Sequence, residues 1–207
     1  MLALHKMVEG GHTPTGLLVM MNAQAGRSWF HGVEPALLER IAESLGIPLL
    51  LCRTSGGAEY DAEMERTLRA AKAAGAELCA FGDIDIEGHR AWDEARCAAA
   101  DLTAALPLWG RSRLENVREA VELGYRCVIK CVDRDVLPER LLGRALDGGA
   151  LAEMEALGVD LCGENGEYHT VVVDGPLFRR PVRCACGEIL RFGHISAVNL
   201  TAEEGRP

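Results

Sequence analysis

Short apolar runs alternate with longer amphipathic stretches through the first two thirds of the chain. The short runs are residues 16–21, 48–52, 77–81, 103–106 and 126–132. Runs of this length suit strands buried on both faces. Between them, residues 36–45, 58–74, 89–100 and 113–123 read as helices. Pro35 stands where a first helical turn tolerates proline, and Gly46, Gly75 and Gly124 follow the last turns as stop signals. Residues 1–7 add a helix, with apolar residues at 1, 4, 7 and 8 on one face. This βα alternation implies a parallel sheet with helices on both faces.

The pattern changes after about Pro107. Helices shorten, and from His169 onward only strands are predicted, at 169–174, 182–186, 188–192 and 194–200. Gly187-Glu188 between two of these runs suggests a hairpin. The division predicted is a nucleotide-type α/β domain over 1–106 and a smaller α+β lobe over 107–207.

Composition narrows the function classes. A formal net charge of −9 argues against bulk binding of a phosphate backbone, which calls for a basic stripe. No apolar run is long enough to span a bilayer, and no signal-peptide pattern opens the chain. Eight cysteines without a Cys-x-x-Cys pair read as buried, reduced thiols of a cytoplasmic protein rather than a zinc site or disulfide framework.

The candidate chemistry is concentrated in Cys162-Gly163-Glu164-Asn165-Gly166-Glu167-Tyr168-His169-Thr170, which runs on through Val171–Val173 to the turn Asp174-Gly175-Pro176. Two carboxylates and an amide among glycines, at the entrance to a β-branched strand, are either a displayed binding loop or a tight turn with solvated acids. Gly82 to Gly88 follows a predicted strand, where open α/β sheets bind ligands. There Gly82 lets the backbone turn sharply, and Asp83 and Asp85 either point into the crevice or cap the helix at His89. The loop 22–32, ending in His31-Gly32, follows another such strand. His31 there is either a phosphate or ribose contact or a surface histidine. Arg90 suits a bidentate carboxylate or phosphate contact. Trp92 and Trp109 read as packing residues. Thr54-Ser55-Gly56-Gly57 stands where a phosphate loop would, but Glu59 and Asp61 follow it and no lysine does. It reads as a helix-entry turn capped by Ser55 or the glycines.

The 162–178 segment resembles the signature of the diphthine–ammonia ligase family, a branch of the PP-loop ATP pyrophosphatases. Other stretches match in the same order: Arg27-Ser28-Trp29-Phe30-His31-Gly32-Val33, Phe81-Gly82-Asp83-Ile84-Asp85 with His89-Arg90-Ala91-Trp92, Pro107-Leu108-Trp109-Gly110, and Leu142-Gly143-Arg144. The resemblance covers nearly the whole chain. It implies a HUP-like parallel sheet followed by the smaller lobe. The implied chemistry is adenylation of a carboxylate by ATP, then attack of ammonia on the acyl adenylate. The carboxylate is protein-borne diphthine or a small molecule.

The resemblance further implies catalytic roles for Glu164, Glu167 and Asp83, with substrate contacts from Asn165, Gly166, Tyr168 and Arg90. Asn22, His31, Gly32 and Gly82 would approach ATP, and Asp83 and Asp85 would hold Mg²⁺. Asp83 and residues 164, 165, 167 and 168 are expected to line one cleft. The family's Ser-Gly-Gly-Lys-Asp-Ser loop does not occur in these residues. Met1 falls just where the residue after that loop belongs, so the first strand and the loop are expected to be missing and the chain to be inactive by itself. Two other classes compete: a non-catalytic nucleotide-binding or regulatory module, and a tRNA-modifying PP-loop enzyme. A homo-oligomer is left open.

Overall fold

The structure, a computed structural model, describes residues 1–29 and 31–203. In chain order its elements begin α1 (Leu2–Glu9), β1 (Leu17–Asn22), β2 (Arg27–Ser28), α2 (Pro35–Leu45), β3 (Leu49–Thr54), α3 (Ala58–Ala73), β4 (Leu78–Ala80), α4 (Glu87–Ala98) and β5 (Thr103–Ala105). They continue with α5 (Arg113–Glu122), β6 (Arg126–Asp133), a 3₁₀ turn (Glu139–Leu141), α6 (Gly148–Ala156), β7 (Tyr168–Asp174), β8 (Cys184–Phe192) and β9 (Ile195–Ala202). The architecture is mixed α/β.

The chain forms two compact units, Met1–Trp29 with Ile47–Ser112, and Phe30–Gly46 with Arg113–Pro207. The second unit therefore starts at Arg113 and takes α2 from the amino-terminal part of the chain. The reason is local. α2 packs against β9. At its end the buried Ser44 bonds the backbone of Arg180, and its own carbonyl accepts from Arg179 N at 2.9 Å.

In the first unit, β1 and β3 run parallel from Leu17↔Leu49 to Asn22↔Thr54, and β2 folds back antiparallel on the end of β1. β4 and β5 form a separate parallel pair. The core lies where α3 and α4 bury Met64, Leu68, Cys97 and Ala100 with Met20, Cys52 and Leu102. Sulfur-bearing and small side chains fill the irregular space between short strands and helices.

The second unit holds a four-stranded sheet in the order β7-β6-β9-β8, antiparallel throughout. This corrects the sequence reading, which gave residues 126–132 to the parallel sheet. Residues 127–132 are all buried. Burial on both faces marks a central strand, but it does not identify the neighbours. A second correction concerns Gly187-Glu188. The stretch is a register shift inside the continuous strand β8, not a hairpin. The chain reverses instead at Gly193 (φ 57°), between Phe192 and Ile195. Glycine serves bulges and turns alike, so the dipeptide alone left the two undistinguished.

All eight cysteines are free thiols; four are buried and Cys186 is exposed. Among the described residues no helix is long and apolar enough to cross a membrane.

Candidate functional site

The 162–168 segment enters β7 as a braced loop, and the brace is Asp160. One oxygen of its carboxylate accepts Cys162 N at 3.0 Å. The other accepts Glu164 N at 3.2 Å and pairs with Arg113 Nη1 at 2.5 Å. The same Nη1 lies 3.2 Å from Asn165 Oδ1. Asn165 turns its Nδ2 to Glu167 Oε1 at 2.9 Å, and its backbone N donates to Glu167 Oε2 at 3.1 Å. Tyr168 closes the loop by donating its hydroxyl to Leu161 O at 2.6 Å. Burial pushes that phenol well above its usual range. Gly163 sits at φ 75°, with Tyr168 so close that an added methyl group would lie 3.0 Å from the ring. Glycine is required there on both counts.

The two acids of the loop differ in burial. Both carboxylate oxygens of the buried Glu167 are taken within the loop, whereas Glu164 is half-buried. The Tyr168 hydroxyl is likewise committed to the backbone. Gly166 has φ 89° and turns the loop between the two acids.

His31 and Gly32 belong to the same unit. The His31 ring packs tilted against that of His169 of β7, centroids 4.8 Å apart at 57°. Burial lowers the pKa of His169 and so favours its neutral form. Gly32 (φ 60°) lies close to Lys130, since a methyl group added there would be 4.0 Å from Nζ. Lys130 is 2% exposed and occupies the register shift between Ile129 and Cys131. Bulges re-aim side chains in this way.

Asn22, Gly82, Asp83, Asp85 and Arg90 belong to the first unit. Asn22 Oδ1 accepts Gln24 N at 3.0 Å and Ala25 N at 2.9 Å, which shapes the turn into β2. Gly82 is outside the left-handed region and has open space around it. The sharp glycine-dependent turn expected at that position is absent. Asp83 Oδ1 meets His89 Nδ1 at 3.0 Å, so it holds the ring of His89 where a backbone cap was the alternative reading. On its other side Asp83 faces Asp93, which is 3% exposed. Burial and the Asp83 charge push the Asp93 carboxyl up to about 8. Its Oδ2 is buried without a partner in the structure. Arg90 is engaged by Glu94 at 2.8 Å and lies over the Trp109 ring at 5.1 Å. Trp92 packs as expected, donating to Asp61 at 3.0 Å.

Two fits fail. The Thr54–Gly57 turn cannot cradle phosphate, because Gly56 N already donates to Thr54 Oγ1 at 3.0 Å and Ser55 N to the Glu59 carboxylate at 2.8 Å. Gly57 takes the N-cap position of α3, one of the alternatives the sequence offered, and Ser55 makes no capping side-chain bond. Among the described residues no group of three or more His, Cys, Asp or Glu is placed to hold a metal ion. Asp83 is engaged with His89 and Asp93.

Asp160, Arg113, Asp93 and Lys130 escaped the sequence reading. Each left a signal. Asp160 precedes Cys162-Gly163 in Asx-turn spacing. Asp93 is an acid on the face of α4 that buries Cys97. Lys130 interrupts an apolar strand.

Comparison with known proteins gives one consistent result. A family model described as the diphthamide synthase N-terminal domain matches residues 1–103, and one described as the diphthamide synthase C-terminal domain matches residues 112–201. The diphthine–ammonia ligase of Danio rerio is 27% identical over 203 residues, covering 84% of this chain and 78% of that protein. The Homo sapiens diphthine–ammonia ligase is 31% identical over 118 residues, covering 55% of this chain and 44% of that protein. The Bos taurus enzyme is 30% identical over 118 residues, with the same coverage. With both domain models matched in order along nearly its whole length, the chain belongs to the diphthamide synthase family.

Proposed function

We propose that the chain carries the substrate-handling parts of an ATP-dependent amide ligase. In that reaction ATP adenylates a carboxylate with loss of pyrophosphate, and ammonia displaces AMP to give the amide. The observation that carries this reading is the Asp160-braced loop, which fixes the Glu164 backbone and bonds Glu167 and Tyr168 within itself. Glu164 takes ammonium and accepts its proton. Asn165 and Gly166 set the path of the loop beside it. His31, Gly32 and Lys130 form the adjoining wall. The carboxylate is protein-borne diphthine or a small molecule, and the eight free thiols suit the reducing cytoplasm.

A second reading has its own observation. The Thr54–Gly57 turn, placed like a phosphate loop, has its Ser55 and Gly56 amides occupied. These 207 residues on their own then act as a non-catalytic nucleotide-binding or regulatory module. We expect no turnover of ATP without a Ser-Gly-Gly-Lys-Asp-Ser loop, which supplies amide donors and a lysine for the phosphates. Release of AMP and pyrophosphate from ATP, ammonium and diphthine-bearing elongation factor 2 separates the two. The ligase reading expects release once a strand and that loop are joined to the chain, and the module reading expects none.

A further inference from the structure

Four side chains form one polarised line in the second unit: Asp160, Arg113, Asn165 and Glu167. Arg113 lies between two acceptors, 2.5 Å from Asp160 and 3.2 Å from Asn165 Oδ1. Asn165 lies between a cation and a carboxylate, its oxygen toward Arg113 and its Nδ2 toward Glu167 at 2.9 Å. A flipped amide would set –NH₂ against guanidinium and oxygen against carboxylate, so the two charges fix its orientation. Meanwhile Asp160 accepts the backbone of Cys162 and Glu164. Arg113 and Asp160 are only 26% and 14% exposed at their side chains, where an ion pair is screened less than on the surface. Neither residue belongs to the 162–168 segment; Arg113 opens α5, nearly fifty positions earlier.

We propose that Arg113 and Asp160 are positioning residues for the ammonium-taking loop. Asp160 fixes the backbone from which Glu164 projects. Arg113 fixes the amide orientation of Asn165 and, through it, the Glu167 carboxylate. The inference deepens the ligase reading and rests on it for the identity of the ligand alone. The two residues divide the work differently. Without Arg113, the Cys162 and Glu164 amides keep their acceptor. Without a carboxylate at Asp160, they lose it and Arg113 loses its anchor.

The test uses the full ¹⁵N-labelled chain, with ammonium chloride as the probe and potassium chloride as its control. In Asp160→Asn, the Cys162 and Glu164 amides are expected to exchange about ten-fold faster, while β7 amides keep their protection. In Arg113→Met, those two amides stay protected. The Asn165 side-chain resonances move, and the ammonium response of residues 162–168 weakens about ten-fold, as for loss of one charge-assisted bond. Arg113→Lys, which keeps the cation, restores most of that response. Should Asp160→Asn fail to fold, the Arg113 variants decide the matter. Unmoved Asn165 resonances and an unweakened ammonium response in Arg113→Met would overturn the inference. If wild type gives no ammonium-specific response but the exchange and side-chain effects appear, the positioning stands and the ligase reading falls.

Discussion

Ser44 and Arg180, 136 positions apart, are joined twice: the serine hydroxyl donates to the arginine carbonyl, and the arginine amide donates back to Ser44 Oγ at 3.2 Å. The pairing ties the end of α2 to the segment between β7 and β8. Ser44 is 2% exposed, so Ser44→Ala leaves an amide and a carbonyl with little water to replace the hydroxyl. Chemical denaturation should show a loss of about 1–3 kcal/mol, the usual cost of an unsatisfied buried polar group. An unchanged midpoint would mean that the α2 attachment rests on apolar packing alone.

Asn116, on α5, gives the opposite sign. It is 3% exposed, and both its amide atoms are buried without partners in the structure. Asn116→Leu keeps the volume and removes both polar groups. It should therefore stabilise the protein by about 1–3 kcal/mol in the same assay. Destabilisation would show that the amide has partners in solution.

Glu139 contributes to acid stability. Its carboxylate takes Arg191 at 2.7 and 2.8 Å and Ser196 Oγ at 2.6 Å, and these bonds hold its pKa down to about 2. A folded pKa below the unfolded value gives stability that is complete above about pH 4.5 and is lost as pH falls toward 2. The melting temperature of Glu139→Gln should lie below wild type at pH 6, and the gap should close by pH 2.5. A gap independent of pH would rule out the ionised bond as its source.

Asp93 works in the other direction. Its folded pKa is raised by burial and by Asp83 to about 8, so its contribution is complete below about pH 4 and is lost as pH rises through 8. Asp93→Asn has no proton to lose. Its melting temperature relative to wild type should therefore climb between pH 4 and pH 9. A flat difference would place an ordinary, solvated carboxylate at this position.

Helices and strands were largely legible because their signals are local. The run from Leu17 to Met21 and the stop at Gly46 (φ 70°) specify their elements without reference to the rest of the chain. What the sequence hid was partnership. Nothing in residues 126–132 says that β6 pairs antiparallel with β7 and β9, and nothing in residues 35–45 says that Ser44 meets Arg180. The site shows the same division. The motif around Glu164 stands out by composition. Its brace does not, because Arg113 and Asp160 acquire meaning only when α5 and the 160–167 turn meet.

Ammonium-dependent release of AMP from ATP tests the central claim most directly, with diphthine-bearing elongation factor 2 as the carboxylate. We predict release when a strand and Ser-Gly-Gly-Lys-Asp-Ser loop are joined to the chain, none from the 207 residues alone, and a fall of about 10²–10⁴-fold in Glu164→Gln, the range for loss of a positioned acid–base group. Release by the 207 residues themselves, or release undiminished by Glu164→Gln, would contradict the account.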